Sequence, residues 1–181
     1  MIQLDLKKNF FELFDLEVNF QLDQKRLHAA QQRLQSTYHP DRFISASDQE
    51  KRISVQNAAH VNEAYETLKN PVKRARYMLQ VGGLDIQNDH ETTTDTTFLM
   101  EQIELREEMD ECRRCKDPMR ACSHITGKLD QRSKEFSNQF ETLFEQGKLE
   151  DAKQVSKKMQ FIERILEQID DIQIEMEDGL V

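Results

Sequence analysis

Residues 27–43 read LHAAQQRLQSTYHPDRF and residues 61–71 read VNEAYETLKNP. In the first stretch Leu27, Ala30, Leu34 and Tyr38 recur at helical spacing, and in the second Val61, Ala64, Tyr65 and Leu68 share one helical face. Between them lies a polar segment opened by Pro40, which cannot continue a helix. The two apolar stripes predict an antiparallel helical hairpin whose connecting loop displays His39, Pro40 and Asp41.

Start and stop signals extend the pattern on both sides. Asn9 with Glu12 forms a capping-box-like start for a short helix over FELFDL, residues 11–16, Asp23 caps the first hairpin helix, and Ser47 with Glu50 caps the second. Asn70 and Pro71 open a fourth helix that stops at Gly82 and Gly83. Residues 84–97, LDIQNDHETTTDTT, lack a helical period and read as a linker, with Asp95 to Thr97 capping the next helix.

From Phe98 onward three longer helices are expected, broken at Asp117-Pro118 and at Gly147. The last carries Ala152, Val155, Met159, Ile162, Leu166, Ile169 and Met176 in alternating steps of three and four, with Gln173 where an apolar residue is due. The middle one offers Ile125, Leu129, Phe136, Phe140 and Leu143 on a matching face, which predicts an antiparallel three-helix bundle. No strand-period pattern competes, so the fold class is all-α: an N-terminal module over 1–83, a linker over 84–97 and a bundle over 98–181.

The 181 residues carry 25 Lys and Arg against 34 Asp and Glu, a net charge of −9. Residues 1–83 hold 12 basic and 10 acidic side chains, residues 84–181 hold 13 and 24, so the two modules face different partners. Such a balance disfavours nucleic acid, and no window approaches the roughly 18 apolar residues that span a bilayer. Five glycines and no phosphate-cradling loop argue against a bound nucleotide. An N-terminus without secretory or transit features makes the cytoplasm the expected location.

The YHPDRF, VNEAYETLKNP and VKRARYML segments resemble the J-domain of DnaJ-class co-chaperones. That resemblance implies that His39, Pro40 and Asp41 press against the ATPase of a DnaK-type chaperone and accelerate hydrolysis. The hairpin's first helix carries Lys25, Arg26 and Arg33, with Arg42 just beyond, as the basic contacts, while Ala29, Gln32, Gln35, Ser36 and Thr37 leave the face otherwise neutral. So sparse a basic face fits a specialised chaperone.

The run DTTFLMEQIELREEMDE at 95–111 and KMQFIERI at 158–165 resemble the HscB family, J-proteins of iron–sulfur cluster assembly. The resemblance implies that the J-domain engages an HscA-type chaperone while the C-terminal helices bind an IscU-type scaffold. Helix geometry at about 100° per residue gives the same helix two apolar faces. Phe98, Leu105, Met109 and Cys112 share one; Leu99, Met100 and Ile103 form another, edged by Glu104, Glu107 and Glu111. In the last helix Phe161, Ile165 and Ile172 lie off the main seam, and Phe161 matches the family's scaffold-binding aromatic. The expected scaffold surface is therefore Leu99, Met100, Ile103, Glu104, Glu107, Glu111 and Phe161, on a chain that is no enzyme and carries no cofactor.

Two other readings remain. A J-protein with another client would use the same bundle. A small metal-dependent hydrolase or redox protein would use Cys112, Cys115, Cys122 and His124, although one CxxC without a second is a weak metal signature.

Overall fold

The structure, a computed structural model, describes residues 4–86, 95–112 and 114–178. All described regular structure is helical, and the chain divides into two compact units, residues 1–82 and 83–181.

In the first unit α1 spans Phe10–Leu13, α2 Gln24–Tyr38, α3 Asp48–Lys69 and α4 Pro71–Val81. Each start is satisfied locally. The Asn9 side chain accepts from the Glu12 N–H at 3.0 Å while the Glu12 carboxylate accepts from the Asn9 N–H at 2.9 Å. Ser47 and Glu50 reciprocate in the same way at α3, Asp23 takes the Lys25 and Arg26 amides, and Asn70 takes that of Lys73. These caps satisfy amides that would otherwise stay unpaired at each helix start.

Leu27, Ala30 and Tyr38 of α2 and Val61, Ala64 and Leu68 of α3 are buried, with Leu34 and Tyr65 half-buried, so the expected apolar stripes form the hairpin's interior with one member of each at its margin. Phe11, Phe14 and Phe20 are buried in the same unit, and α1 lies on α3. The helix α1 ends earlier than its sequence suggests because Asp15 turns left-handed at φ 57°, which lets the Leu16 N–H reach the Phe11 carbonyl at 2.9 Å.

Arg74 of α4 is 4% exposed; its Nη1 donates to the Leu68 carbonyl at 2.6 Å and its guanidinium lies 5.0 Å from the Phe20 ring. Burial pushes its pKa down to about 10, so it stays charged at neutral pH and ties the α3–α4 corner to the loop before α2.

The second unit holds α5 (Thr96–Cys112), α6 (Pro118–Glu145) and α7 (Leu149–Glu177). The α6–α7 turn passes through Gly147 at φ 72°, a conformation that a side chain would strain. Ile125, Leu129, Phe136 and Phe140 of α6 are buried, as are Val155, Met159, Ile162, Ile165, Ile169 and Ile172 of α7. The α7 seam differs from its sequence reading: Ile172 fills the place left by Gln173, and Ile165 is buried while Leu166 is only half-buried. At 3.6 residues per turn a straight helix drifts against a strict heptad, and the core takes whichever neighbouring residue faces it.

Phe140 is fully buried at the α6–α7 interface and stacks near Phe144. Phe140→Ala should cost about 3–5 kcal/mol in urea unfolding of the second unit while leaving the first unit's transition in place.

Candidate functional site

Two surfaces carry the expected functional residues, one in each unit. The first begins where α2 stops. His39 caps the helix with extended backbone, and Pro40–Phe43, expected to be an irregular link, forms a 3₁₀ turn with Pro40 at its first position. His39 Nδ1 accepts the Asp41 N–H at 3.3 Å, so a neutral ring keeps its proton on Nε2. The Asp41 carboxylate lies 3.6 Å from Nδ1, beyond a hydrogen bond, and its side chain is 78% exposed against 52% for His39. The loop thus offers a ring donor and an open carboxylate side by side.

Arg42 has a second task. Its Nη1 donates to the Ser36 carbonyl at 2.9 Å, stitching the loop back onto the last turn of α2. Lys25, Arg26 and Arg33 are exposed on α2, with Arg26 and Arg33 flanking its buried stripe beside Ala30. Nearby, Ile44 stands 69% exposed directly after the turn, a feature that no periodicity in the sequence marks.

The second surface is the outer face of α5. Phe98, Met109 and Cys112 turn inward and are buried, with Leu105 half-buried. Met100 and Ile103 are 65% and 58% exposed, Leu99 is half-buried, and Glu104, Glu107 and Glu111 are exposed with no ion pair among the described residues. Their neighbours differ: Glu101 meets Arg132 at 3.4 Å and Glu108 meets Lys128 at 2.7 Å, both across to α6.

Phe161 is set apart from Met100 and Ile103. It packs edge-on against Phe98, with centroids 5.5 Å apart, and lines a cleft of about 250 Å³ floored by Leu105, Leu129, Phe136 and Ile162 and edged by Glu104 and Arg132. Of the three residues expected off the α7 seam, Ile165 and Ile172 belong to the core, so Phe161 alone of them reaches a surface feature.

The start of α5 is held by Asp95. Its carboxylate accepts from Lys158 Nζ at 2.6 Å and from the Phe98 N–H at 3.1 Å, and the ammonium lies 5.2 Å from the Phe98 ring centroid. The Lys158 hydrogen bond first, then the amides, hold the Asp95 carboxyl below the usual range.

The alternative metal set forms no ligand cluster, although its three thiols lie near the same α5–α6 corner. Cys112 and Cys122 are buried, Cys115 and His124 are exposed, and no cluster of three or more metal-ligating side chains exists among the described residues. No helix among those residues is long and apolar enough to cross a membrane.

Comparison with known proteins matches both units. Residues 9–77 match the DnaJ domain and residues 94–170 the HSCB C-terminal oligomerisation domain. A co-chaperone protein HscB homolog of Vibrio parahaemolyticus is 38% identical over 162 residues, covering 90% of this chain and 95% of that one. The structure of chaperone HscB from Vibrio cholerae superposes with a TM-score of 0.83 at 34% identity, covering 96% of this chain and all of that one. Human co-chaperone protein HscB does so at 0.84 and 32%, covering 94% and 84%.

The Asp95 carboxyl, lowered by folding, contributes stability above its unfolded pKa and loses it as pH falls through the folded value. The native chain should lose amide protection at residues 96–99 as pH falls from 6 to about 3, and Asp95→Asn should flatten that loss, followed by hydrogen exchange.

Proposed function

The chain belongs to the HscB family of J-domain co-chaperones, and on that footing we propose that it stimulates the ATPase of an HscA-type chaperone and delivers an IscU-type iron–sulfur scaffold to it. The observation that carries the proposal is one chain holding both an exposed His39-Pro40-Asp41 turn and a helix whose outer face sets exposed Met100 and Ile103 beside carboxylates that have no ion pair among the described residues.

Each part has a distinct task. Pro40 fixes the turn, His39 Nε2–H and the Asp41 carboxylate supply charge-assisted contacts to the chaperone, and Lys25, Arg26 and Arg33 steer the encounter. Arg42 positions the turn through Ser36. On α5, Met100 and Ile103 with Leu99 and Phe161 are the apolar anchors for the scaffold, and Glu104, Glu107 and Glu111 set its register. Carrying both sites on one chain raises the scaffold's local concentration at the chaperone. The protein makes no covalent change in chaperone or scaffold and needs no cofactor, and its work lies in the cytoplasm, with neither nucleic acid nor membrane as a partner.

A steady-state ATPase assay with the HscA-type chaperone, with and without the IscU-type scaffold, tests the whole reading. The native chain should stimulate hydrolysis, and more so with scaffold present. His39→Gln and Asp41→Asn should each abolish stimulation while helix content and scaffold binding stay as they were; undiminished stimulation by both would remove the assignment.

Met100→Ala with Ile103→Ala should weaken scaffold binding by about 1–4 kcal/mol per anchor, measured by calorimetry, with the unfolding midpoint unchanged because both side chains are already in water. Replacing Glu104, Glu107 and Glu111 by Gln should slow scaffold association and flatten its salt dependence in stopped-flow mixing, leaving stimulation without scaffold untouched.

A further inference from the structure

Neither surface uses the three thiols at the α5–α6 corner. Cys112 closes α5 and is 4% exposed; Cys122 lies in the early turns of α6 and is 1% exposed. The two are near enough across the corner for the Cys122 thiol to disfavour ionisation of Cys112. Cys115, in the connecting turn, is exposed, and its Sγ–H donates to the Cys112 carbonyl at 3.1 Å, the same oxygen that takes the Cys115 N–H at 3.4 Å. One accessible thiol therefore stands within a single closed turn of Cys112, which has the second buried thiol, Cys122, as its neighbour. Two residues joined by such a turn have Cα atoms within about 7 Å, inside or near the range that a disulfide spans.

We infer that this corner is a disulfide site driven by peroxide: Cys115 receives the oxidant and the bond comes to rest between Cys112 and Cys122, stapling the end of α5 to α6.

The chemistry balances in three steps. The Cys115 thiolate attacks one peroxide oxygen, the O–O bond breaks, and the departing hydroxide takes a proton to become water, leaving a sulfenic acid on Cys115. Cys112 attacks that sulfur; the S–O bond breaks, hydroxide leaves with the Cys112 proton as a second water, and a Cys112–Cys115 disulfide forms. Cys122 then attacks the Cys112 sulfur and expels Cys115 as thiolate, which regains the proton that Cys122 gives up. Two thiols have lost two electrons and two protons, and one peroxide has become two waters.

Burial, and then the neighbouring thiols, push the Cys112 pKa up to about 12, so this sulfur is inert while the corner stays closed. Reaction at the buried pair therefore depends on capture at Cys115 and on fraying of the last turn of α5, which places the exposed thiol first in the sequence of events. Elsewhere α5 is tied to α6 by the exposed pairs Glu101–Arg132 and Glu108–Lys128, which are weak by nature. A covalent bond at Cys112 adds a restraint of a different order.

The test uses the full chain, reduced and then exposed to a small molar excess of hydrogen peroxide, with free thiols blocked by N-ethylmaleimide before trypsin digestion. Cleavage at Arg106, Arg113, Arg114, Lys116, Arg120 and Lys128 separates the three cysteines into peptides 107–113, 115–116 and 121–128. Peptide 107–113 should appear joined to 121–128, two hydrogens lighter than the pair, with Cys115 carrying the maleimide and dithiothreitol reversing the link. Cys115→Ser should slow formation of that link at least about tenfold, and Cys122→Ser should stop at a 107–113 to 115–116 link. Native protein ending as a Cys112–Cys115 disulfide, a Cys115-linked dimer, or sulfinic acid on Cys115 with Cys112 and Cys122 reduced would overturn the proposal. The peptide map of the native chain decides this alone, independently of whether α5 meets a scaffold.

Discussion

Packing of α6 on α7 removes Ile125, Leu129, Phe136 and Phe140 from water against a continuous row of α7 side chains running from Val155 to Ile172. The pair thus closes most of its core before α5 is considered. The third helix needs only Phe98, Met109 and Cys112 to join it, with Leu105 half-buried and the Asp95–Lys158 bond at its start. A helix so lightly engaged retains an outer face, and on that face Met100 and Ile103 stay in water. A third helix buried on two sides would have had no such surface to offer.

The first unit solves a similar problem with backbone geometry. A chaperone contact made by His39 and Asp41 requires both side chains to stand clear of the hairpin whose core lies a turn away at Tyr38. Pro40 ends α2 without leaving an unpaired donor, and the 3₁₀ turn, the Asp41 N–H on the His39 ring and Arg42 on the Ser36 carbonyl then hold the loop in one conformation. Little ordering cost is left for the moment of binding. Arg74 acts at the opposite corner, where its buried charge joins α4, the end of α3 and Phe20.

Much of this was legible in the residues. Asn9 with Glu12, Asp23, Ser47 with Glu50, Asn70 with Pro71, and Pro118 mark helix starts because each cap is a local bond between residues two or three apart. The hairpin stripes were equally plain. What escaped were features set by distant partners. The left-handed turn at Asp15 shortens α1, and the α7 core takes Ile165 and Ile172 in preference to the strict seam. Burial of Arg74 depends on Phe20 and Leu68, which no spacing connects to it. At the α5 surface Met100 and Ile103 follow the expected face, whereas Phe161 turns to Phe98 and a cleft because α7 presents it toward the α5–α6 groove.

The carboxylates of α5 separate into two groups by position. Glu101 and Glu108 lie on the side turned toward α6 and meet Arg132 and Lys128; Glu107 and Glu111 lie toward the exposed apolar residues, Glu104 stands at the edge of the α5–α6 cleft, and none of these three has an ion pair among the described residues. Three unpaired carboxylates within two helical turns repel one another and favour folding little. Their arrangement is nonetheless chemically selective. Beside Met100 and Ile103 they reject any apolar partner that cannot bring cations to the rim, because such a partner would have to strip water from the carboxylates without replacing it. On the proposed reading, the same helix turns weakly paired charge toward α6 and leaves its outward charge to choose what it meets.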